Sequence, residues 1–419
     1  MKILIQAPQI VDPGSSFHLQ KKNILIDNGI ISAIGDKNYS ADQVIRAEGM
    51  LLTPGWFDLG TFIGDPGLEH KEDLDSGAQA AAAGGFTEIA MLPNTEPVIQ
   101  TKNAVAYVTR GNAQRLVQIH PMASVTLDAK GEELTEMIDL HSAGAVAFTD
   151  GLKPIWHTDI FLKCLQYLQK FDGVLIDHPE DYWLNLFGQM HEGLTSTQLG
   201  LKGMPRLAEE IVVSKHLELL QYAGGRLHFA RLSTPRAFDQ VRAAKKKHRV
   251  TCDVAVYQAL LEDTLVAGFD TNYKVNPPLR ERADNDSIVK ALKDGTVDVL
   301  CSAHLPQDEE SKNLEFDRAE FGIITLQTFA AHLTTLSKHV AWEALIPKIT
   351  SGPRSVLGMP IPHVEEKIAA NLTLFDPQEK WVLDEKTNLS RSNNSPWWGQ
   401  ELTGKAKAVF NNGSHWIDQ

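Results

Sequence analysis

Asp75-Ser76-Gly77-Ala78-Gln79-Ala80-Ala81-Ala82-Ala83-Gly84-Gly85-Phe86-Thr87-Glu88-Ile89-Ala90-Met91-Leu92 is the stretch on which the fold class turns. Its first half, 75–83, is alanine-rich and predicts a helix, because alanine loses little on entering one. Its second half, 87–92, is short and apolar and predicts a strand. The same alternation continues outward. Strands are predicted at 145–148, 173–177, 226–230, 250–254 and 297–301, with helices between them at 207–223 and 234–247. Strands alternating with helices at this spacing imply a parallel sheet. About eight such units closing on themselves make a TIM barrel. A doubly wound open sheet is the competing architecture, but no Gly-x-Gly-x-x-Gly follows an early strand to support it.

The two ends of the chain read differently. Residues 2–6, 22–27 and 30–34 are β-prone, and Asn28-Gly29 between the last two is a hairpin signal. Residues 371–375 and 405–410 are also strand-like, and Asn411-Asn412-Gly413 is a turn. The expected fold is therefore α/β: a TIM (β/α)8-like barrel over 54–355, with a small β-sandwich domain formed by 1–53 and 356–419. In a barrel the chemistry sits where strands end, so the C-terminal ends of the strands are where a site belongs.

Lys plus Arg is 40 and Asp plus Glu is 53, a net charge of −13 over 419 residues. That balance argues against nucleic acid and against anionic membranes as partners. No apolar run reaches the roughly 18 residues that would span a bilayer, and Met1 to Gln9 does not read as a leader. Cys164, Cys252 and Cys301 are scattered in apolar stretches. They read as buried free thiols, which fits a cytoplasmic protein.

Several motifs then occur in a set order. They are Pro54-Gly55-Trp56-Phe57-Asp58, Asp65-Pro66-Gly67-Leu68-Glu69-His70-Lys71-Glu72-Asp73, Ala82-Ala83-Gly84-Gly85-Phe86-Thr87 and Met91-Leu92-Pro93-Asn94-Thr95-Glu96-Pro97-Val98. Glu192-Gly193-Leu194 onward to Glu209, Asn276-Pro277-Pro278-Leu279-Arg280, and Gly322-Ile323 after the polar stretch 307–321 complete the series. Together they resemble the dihydroorotases of the amidohydrolase superfamily, of the type found in multifunctional pyrimidine-synthesis complexes. The resemblance covers nearly the whole chain. It implies a barrel with one or two zinc ions at its mouth and the opening or closing of the dihydroorotate ring.

The positions that carry that chemistry in the family are mostly replaced. The His-x-His ending the first barrel strand corresponds to Gly60 and Phe62. Alternate strand residues face one side, so two histidines there grip one metal. Glycine and phenylalanine supply no ligand. The arginine that clamps the substrate carboxylate corresponds to Gly64, a late histidine ligand to Arg231, and the catalytic aspartate to Ala303. Asp150, His178 and His304 remain as vestigial catalytic positions. Two surviving ligands, Asp150 and His178, fall short of the three protein ligands usual for catalytic zinc. No metal site is expected, and zinc is expected to be absent or weak.

Each survivor has a plainer reading. Asn94 and Asn276 align with substrate contacts, or simply order their proline-rich turns. His178 fits a satisfied buried hydrogen bond. His304 contacts a ligand or holds structure. Asp150 is expected to pair with Arg231. Tyr257-Gln258 stand where the family often has two histidines. Lys245-Lys246-Lys247-His248 reads as a solvated helix end, and Trp397-Trp398 as packing or a partner surface. The functional expectation is a catalytically inactive dihydroorotase-like protein, a homo-oligomer, acting as a structural or regulatory partner of aspartate carbamoyltransferase. The alternatives are an active cyclic-amide hydrolase with a rebuilt or single-metal site, and a small-molecule sensor. Restoring all four lost side chains should restore zinc binding, though weaker than in an intact family member.

Overall fold

The computed structural model describes residues 1–418. Eight parallel staves make the barrel. Seven are the strands Trp56–Thr61, Phe86–Met91, Gln118–Pro121, Val174–Asp177, Arg226–Phe229, Val250–Ala255 and Val299–Cys301. The fourth stave narrows to Phe148, which bridges in parallel to Ala123 on one side and Leu175 on the other. The last stave closes on the first: Asp58 accepts from the Ser302 backbone N–H at 2.6 Å, and the Phe62 N–H donates to the His304 carbonyl at 3.0 Å.

Alternation along the staves sorts the side chains. Phe57, Leu59, Ala90, Met122, Ala147, Ile176 and Val299 fill the inside. Trp56, Phe86, Ile89, Ile119, Phe148 and Leu175 face outward against the helices in the main core. The deciding stretch forms the helix Leu74–Gly84, capped by Asp73, whose side chain accepts from the Ser76 N–H. It ends at Gly85 with φ 100°, a conformation glycine takes readily.

The chain termini form two stacked sheets. Ile30–Gly35, Asn23–Asp27, Lys2–Gln6 and Gln43–Arg46 lie in that order in one; Ser414–Ile417, Glu401–Asn411, Leu372–Val382, Leu51–Pro54 and Gln9–Ile10 make the other. Ile3, Ile5, Ile24 and Ile26 from the first meet Leu52, Leu372, Leu374 and Phe410 from the second. The small domain is not confined to its own side. Residues 383–398 cross to the barrel mouth, where Ser392 donates to the Lys71 carbonyl at 2.8 Å and Asn394 to the Leu305 carbonyl at 3.1 Å. No helix among the described residues is long and apolar enough to cross a membrane.

Candidate functional site

The first stave breaks step as it reaches the mouth. Its pairing jumps from Leu59–Ala90 to Thr61–Met91, leaving Gly60 in a bulge with φ 105°. Phe62 follows and lies buried in the barrel's inner apolar cluster, with Leu59, Leu92, Met122 and Ile176. What remains at the centre of the mouth is a space of about 10 Å³, lined by Gly60, Leu92, Met122, Thr149, Arg231 and Asp253 among others. That is room for about one water molecule.

The expected pairing of Asp150 with Arg231 does not occur. Asp150 accepts from the Ser124 hydroxyl at 2.7 Å, the Thr126 hydroxyl at 2.5 Å and the N–H groups of Val125 and Thr126 at 3.1 and 3.0 Å. Burial raises its pKa, and these bonds only partly oppose the rise. Arg231 instead donates from its guanidinium to the Gly151 carbonyl at a long 3.4 Å. Asn94 braces the same loop rather than its own turn: it donates to the Asp150 carbonyl and accepts from Leu152 N–H, both at 3.0 Å. Both ends of its amide are thus engaged within the protein.

His178 and Asn276 meet on a residue the sequence did not single out. His178 Nε2 lies 3.2 Å from Glu180 Oε2, and the Asn276 amide donates to the same oxygen at 2.8 Å. Burial would raise Glu180, but His178 and Asn276 prevail and hold its carboxyl at about 2. The other nitrogen of His178, Nδ1, has no partner among the described residues. His304 is structural on both sides. Its Nδ1 accepts from the Thr325 N–H at 3.1 Å and its Nε2 faces Glu72 Oε2 at 3.3 Å. Glu72 is itself buried and also takes hydrogen bonds from Ser76, Ser390 and the Arg391 N–H. Glu72 lies inside the motif 65–73 noted above, and Glu180 two residues after His178. A carboxylate beside a histidine reads as solvated in sequence, so only the fold reveals their role.

Other sequence readings shift in detail. Lys245 is not simply solvated: its ammonium donates to the Thr296 carbonyl and to Asp298, both at 2.6 Å. Trp397 and Trp398 are half-buried, packed near Ile324, Ala331 and Trp381. Tyr257 and Gln258 are buried, Gln258 donating to the Pro277 carbonyl at 2.6 Å.

The loop 307–321 is strapped over this end of the barrel by two lysines. Lys274 donates to the carbonyls of Phe316 and Asp317 at 2.7 and 3.2 Å, and Lys312 to those of Glu320 and Gly322 at 2.9 and 3.1 Å. Burial, with the neighbouring Lys274 charge, lowers Lys312 from 10.5 to about 7. Between those two values the unfolded chain binds more protons than the folded one, so the stability contribution rises with pH. The cost is fully present below about pH 7 and is relieved as pH climbs toward 10.5. The stability advantage of the native chain over Lys312→Met should therefore grow by a few kcal/mol at most across that window. Thermal midpoints at neutral and alkaline pH check this; a pH-independent difference counts against it.

The residues at the mouth do not fit zinc. Gly60, Phe62, Arg231 and Ala303 offer no ligand, and the guanidinium repels a dication. Among the described residues one trio of ligand-type groups comes within 4.8 Å of one another, His191, Glu281 and Asp284, and it includes none of Asp150, His178 or His304. That trio already holds a cation: Arg206 donates to Asp284 at 2.6 and 2.7 Å and to Glu281 at 2.7 Å. Arg280 faces His191 Nδ1 at 3.1 Å, which leaves the ring proton on Nε2, where a metal would need a lone pair.

Comparison with known proteins settles the kinship. Residues 49–236 match the family model described as "Dihydro-orotase-like". The chain is 37% identical over 417 residues to a protein named dihydroorotase from Pelobacter propionicus, covering 98% of each. The chain belongs to the dihydroorotase family. A second dihydroorotase, from Syntrophotalea carbinolica, is 38% identical over 97% of this chain and 96% of its own. Among solved structures, the L-hydantoinase of Arthrobacter aurescens superposes with a TM-score of 0.85 at 22% identity, covering 99% of this chain and 96% of its own. The dihydropyrimidinase of Brevibacillus agri NCHU1002 gives 0.82 at 20% identity, covering 100% and 95%. These structures share the barrel-plus-β-domain fold. This dihydroorotase-family chain thus keeps the family's scaffold over nearly its whole length.

Proposed function

We propose that this chain is a non-catalytic member of the dihydroorotase family, retained in pyrimidine biosynthesis as a structural or regulatory partner of aspartate carbamoyltransferase. One observation carries the first half of the reading. The barrel mouth holds a guanidinium and a packed phenyl ring, Arg231 and Phe62, where the family resemblance implies metal ligands. A hydrolase of this type uses the metal to activate water and to polarise the amide. Here neither the ligands nor the aspartate base at position 303 is available, and the remaining space admits about one water. The partner role rests on the retained scaffold. A barrel kept intact while its chemistry decays is what assembly with another subunit permits.

Protein purified without chelator is expected to carry no stoichiometric zinc and to show no dihydroorotase turnover in either direction. Elemental analysis and a ring-opening assay check this. One tightly bound zinc per chain together with turnover would favour the rebuilt-site hydrolase instead. Co-purification with aspartate carbamoyltransferase, and loss of that enzyme's assembly without this chain, tests the partner role.

A further inference from the structure

Buried arginines in this protein follow a rule with one exception. Arg354 donates to Glu88 at 2.6 Å and to the Gly55 and Thr350 carbonyls at 2.9 and 2.8 Å. Arg280 lies 3.9 Å from Glu209 and donates to Ser233 and the Met204 carbonyl at 3.1 and 3.0 Å. Arg231 is 7% exposed, yet no carboxylate among the described residues comes within 4.0 Å of its guanidinium. Its one side-chain hydrogen bond is the 3.4 Å contact to Gly151. A guanidinium carries five N–H donors. A buried charge with that little compensation is costly, and natural interiors pair such charges.

The neighbouring acids do not answer it. Asp253 lies on the wall of the same small space, but its Oδ2 is on His228 Nε2 at 2.8 Å. Its Oδ1 accepts from the Arg231 backbone N–H at 2.7 Å and from the Cys301 thiol at 3.3 Å. Asp150 is enclosed by Ser124 and Thr126. Thr149, in the same lining, accepts from the Gly151 N–H at 2.9 Å, and its own hydroxyl proton has no acceptor among the described residues. The Arg231 guanidinium and the Thr149 hydroxyl thus share the lining of a space of about 10 Å³ whose one carboxylate, Asp253, is already bonded through both oxygens.

We propose that Arg231, with the Thr149 hydroxyl, forms a binding site for one monatomic monovalent anion at the barrel mouth, of chloride size. The charge logic of the site is thereby inverted: a fixed cation of the chain holds an anion, where a metal centre has anionic side chains holding a cation. A guanidinium suits a compact halide because several of its N–H donors can converge on one ion. The small volume excludes ring-sized acids. This inference rests on the reading that no metal occupies the mouth.

The test uses the full-length protein at fixed ionic strength, with the bulky sulfonate of the buffer as balancing anion. Chloride is titrated while the thermal midpoint is followed. A ligand that binds the folded state raises the midpoint with the logarithm of its concentration once above Kd. The native chain is expected to show this rise, with half-saturation in the millimolar range. Arg231→Gln should abolish it, and Thr149→Val should weaken it several-fold. Should Arg231→Gln fail to fold, Arg231→Lys keeps the charge but loses the convergent donors, and chloride affinity should fall about tenfold. Bromide-soaked crystals should show an anomalous peak against the guanidinium. A flat response in the native chain, or an unchanged response in both Arg231 variants, overturns the site. Zinc content of the same preparations separates the two readings. Zinc present with an Arg231-dependent anion response sinks the non-catalytic reading alone, while no zinc and no response sinks this site alone.

Discussion

Replacing Arg354 by methionine should lower the stability of the protein by about 3–5 kcal/mol, read as a large drop in the urea midpoint. Arg354 sits on the helix Ser351–Leu357 and is almost fully buried at the base of the barrel. It joins the second stave, through Glu88, to the Gly55 carbonyl just ahead of the first. Glu88 also receives His120 of the third stave at 2.9 Å, and Asn371 at the edge of the β domain at 3.1 Å. One buried carboxylate thus ties together two neighbouring staves, the final barrel helix and the second domain. Burial alone would raise Glu88; the bonds and charges of His120 and Arg354 reverse this and hold it at about 2.

Methionine matches much of the arginine stem but leaves Glu88 buried with only His120 and Asn371. An uncompensated buried carboxylate is the expensive outcome, more than the loss of the pair itself. The double variant Arg354→Met with Glu88→Leu should therefore recover part of the loss, and a double-mutant cycle measures the coupling. Acid should act on the native chain in the same direction. A depressed carboxyl contributes stability that is full above its unfolded value, near 4.5, and is lost as pH falls toward about 2. If Arg354→Met costs less than about 1 kcal/mol, the barrel base is held by apolar packing and the charged tie is incidental.

Much of this scaffold was readable in the residues. The predicted helix at 75–83 is the core of Leu74–Gly84, and the hairpin signal Asn28-Gly29 joins Asn23–Asp27 to Ile30–Gly35. Such features follow from local pattern, which a sequence carries directly. The strand expected at 145–148 is reduced to bridges at Phe148, because Gly144 and Gly151, both with positive φ, leave little extended chain between them. The failures are long-range. That residues 383–398 cover the mouth depends on bonds such as Ser390 to Glu72, 318 positions apart in the chain. The missing Asp150–Arg231 pair has the same origin: the turn at 124–126 supplies four donors to Asp150, and no pattern in those residues announces it. The candidate positions Gly60, Phe62, Arg231 and Ala303 could be named from the sequence one by one; the backbone that carries them, with Gly60 in a bulge, could not.

That backbone decides what repair can achieve. Gly60→His, Phe62→His, Arg231→His and Ala303→Asp together are expected to yield a folded but weakened protein with poor zinc affinity and no turnover. Arg231 and Ala303 sit at φ 56° and 50°, in the left-handed region that His and Asp tolerate better than most residues. Those two changes are conformationally mild. Gly60 is different. A Cβ there would have space, its nearest neighbour being Leu92 Cδ2 at 3.9 Å, but φ 105° is foreign to an L side chain and costs about 1–3 kcal/mol. Phe62→His removes a packed ring from the inner cluster, for about 3 kcal/mol more. The first-stave ligands should thus be the bottleneck. Zinc competition titrations should find the Arg231→His/Ala303→Asp pair and the quadruple variant closer in affinity than ligand count alone implies. Adding Gly64→Arg should not rescue substrate binding, because a Cβ at Gly64 would lie 2.2 Å from the Leu68 carbonyl oxygen, so the segment 64–68 must move first. Tight zinc binding by the quadruple variant, or turnover once Gly64→Arg is added, would mean that only side chains were lost and that the mouth itself still has the shape of a working enzyme.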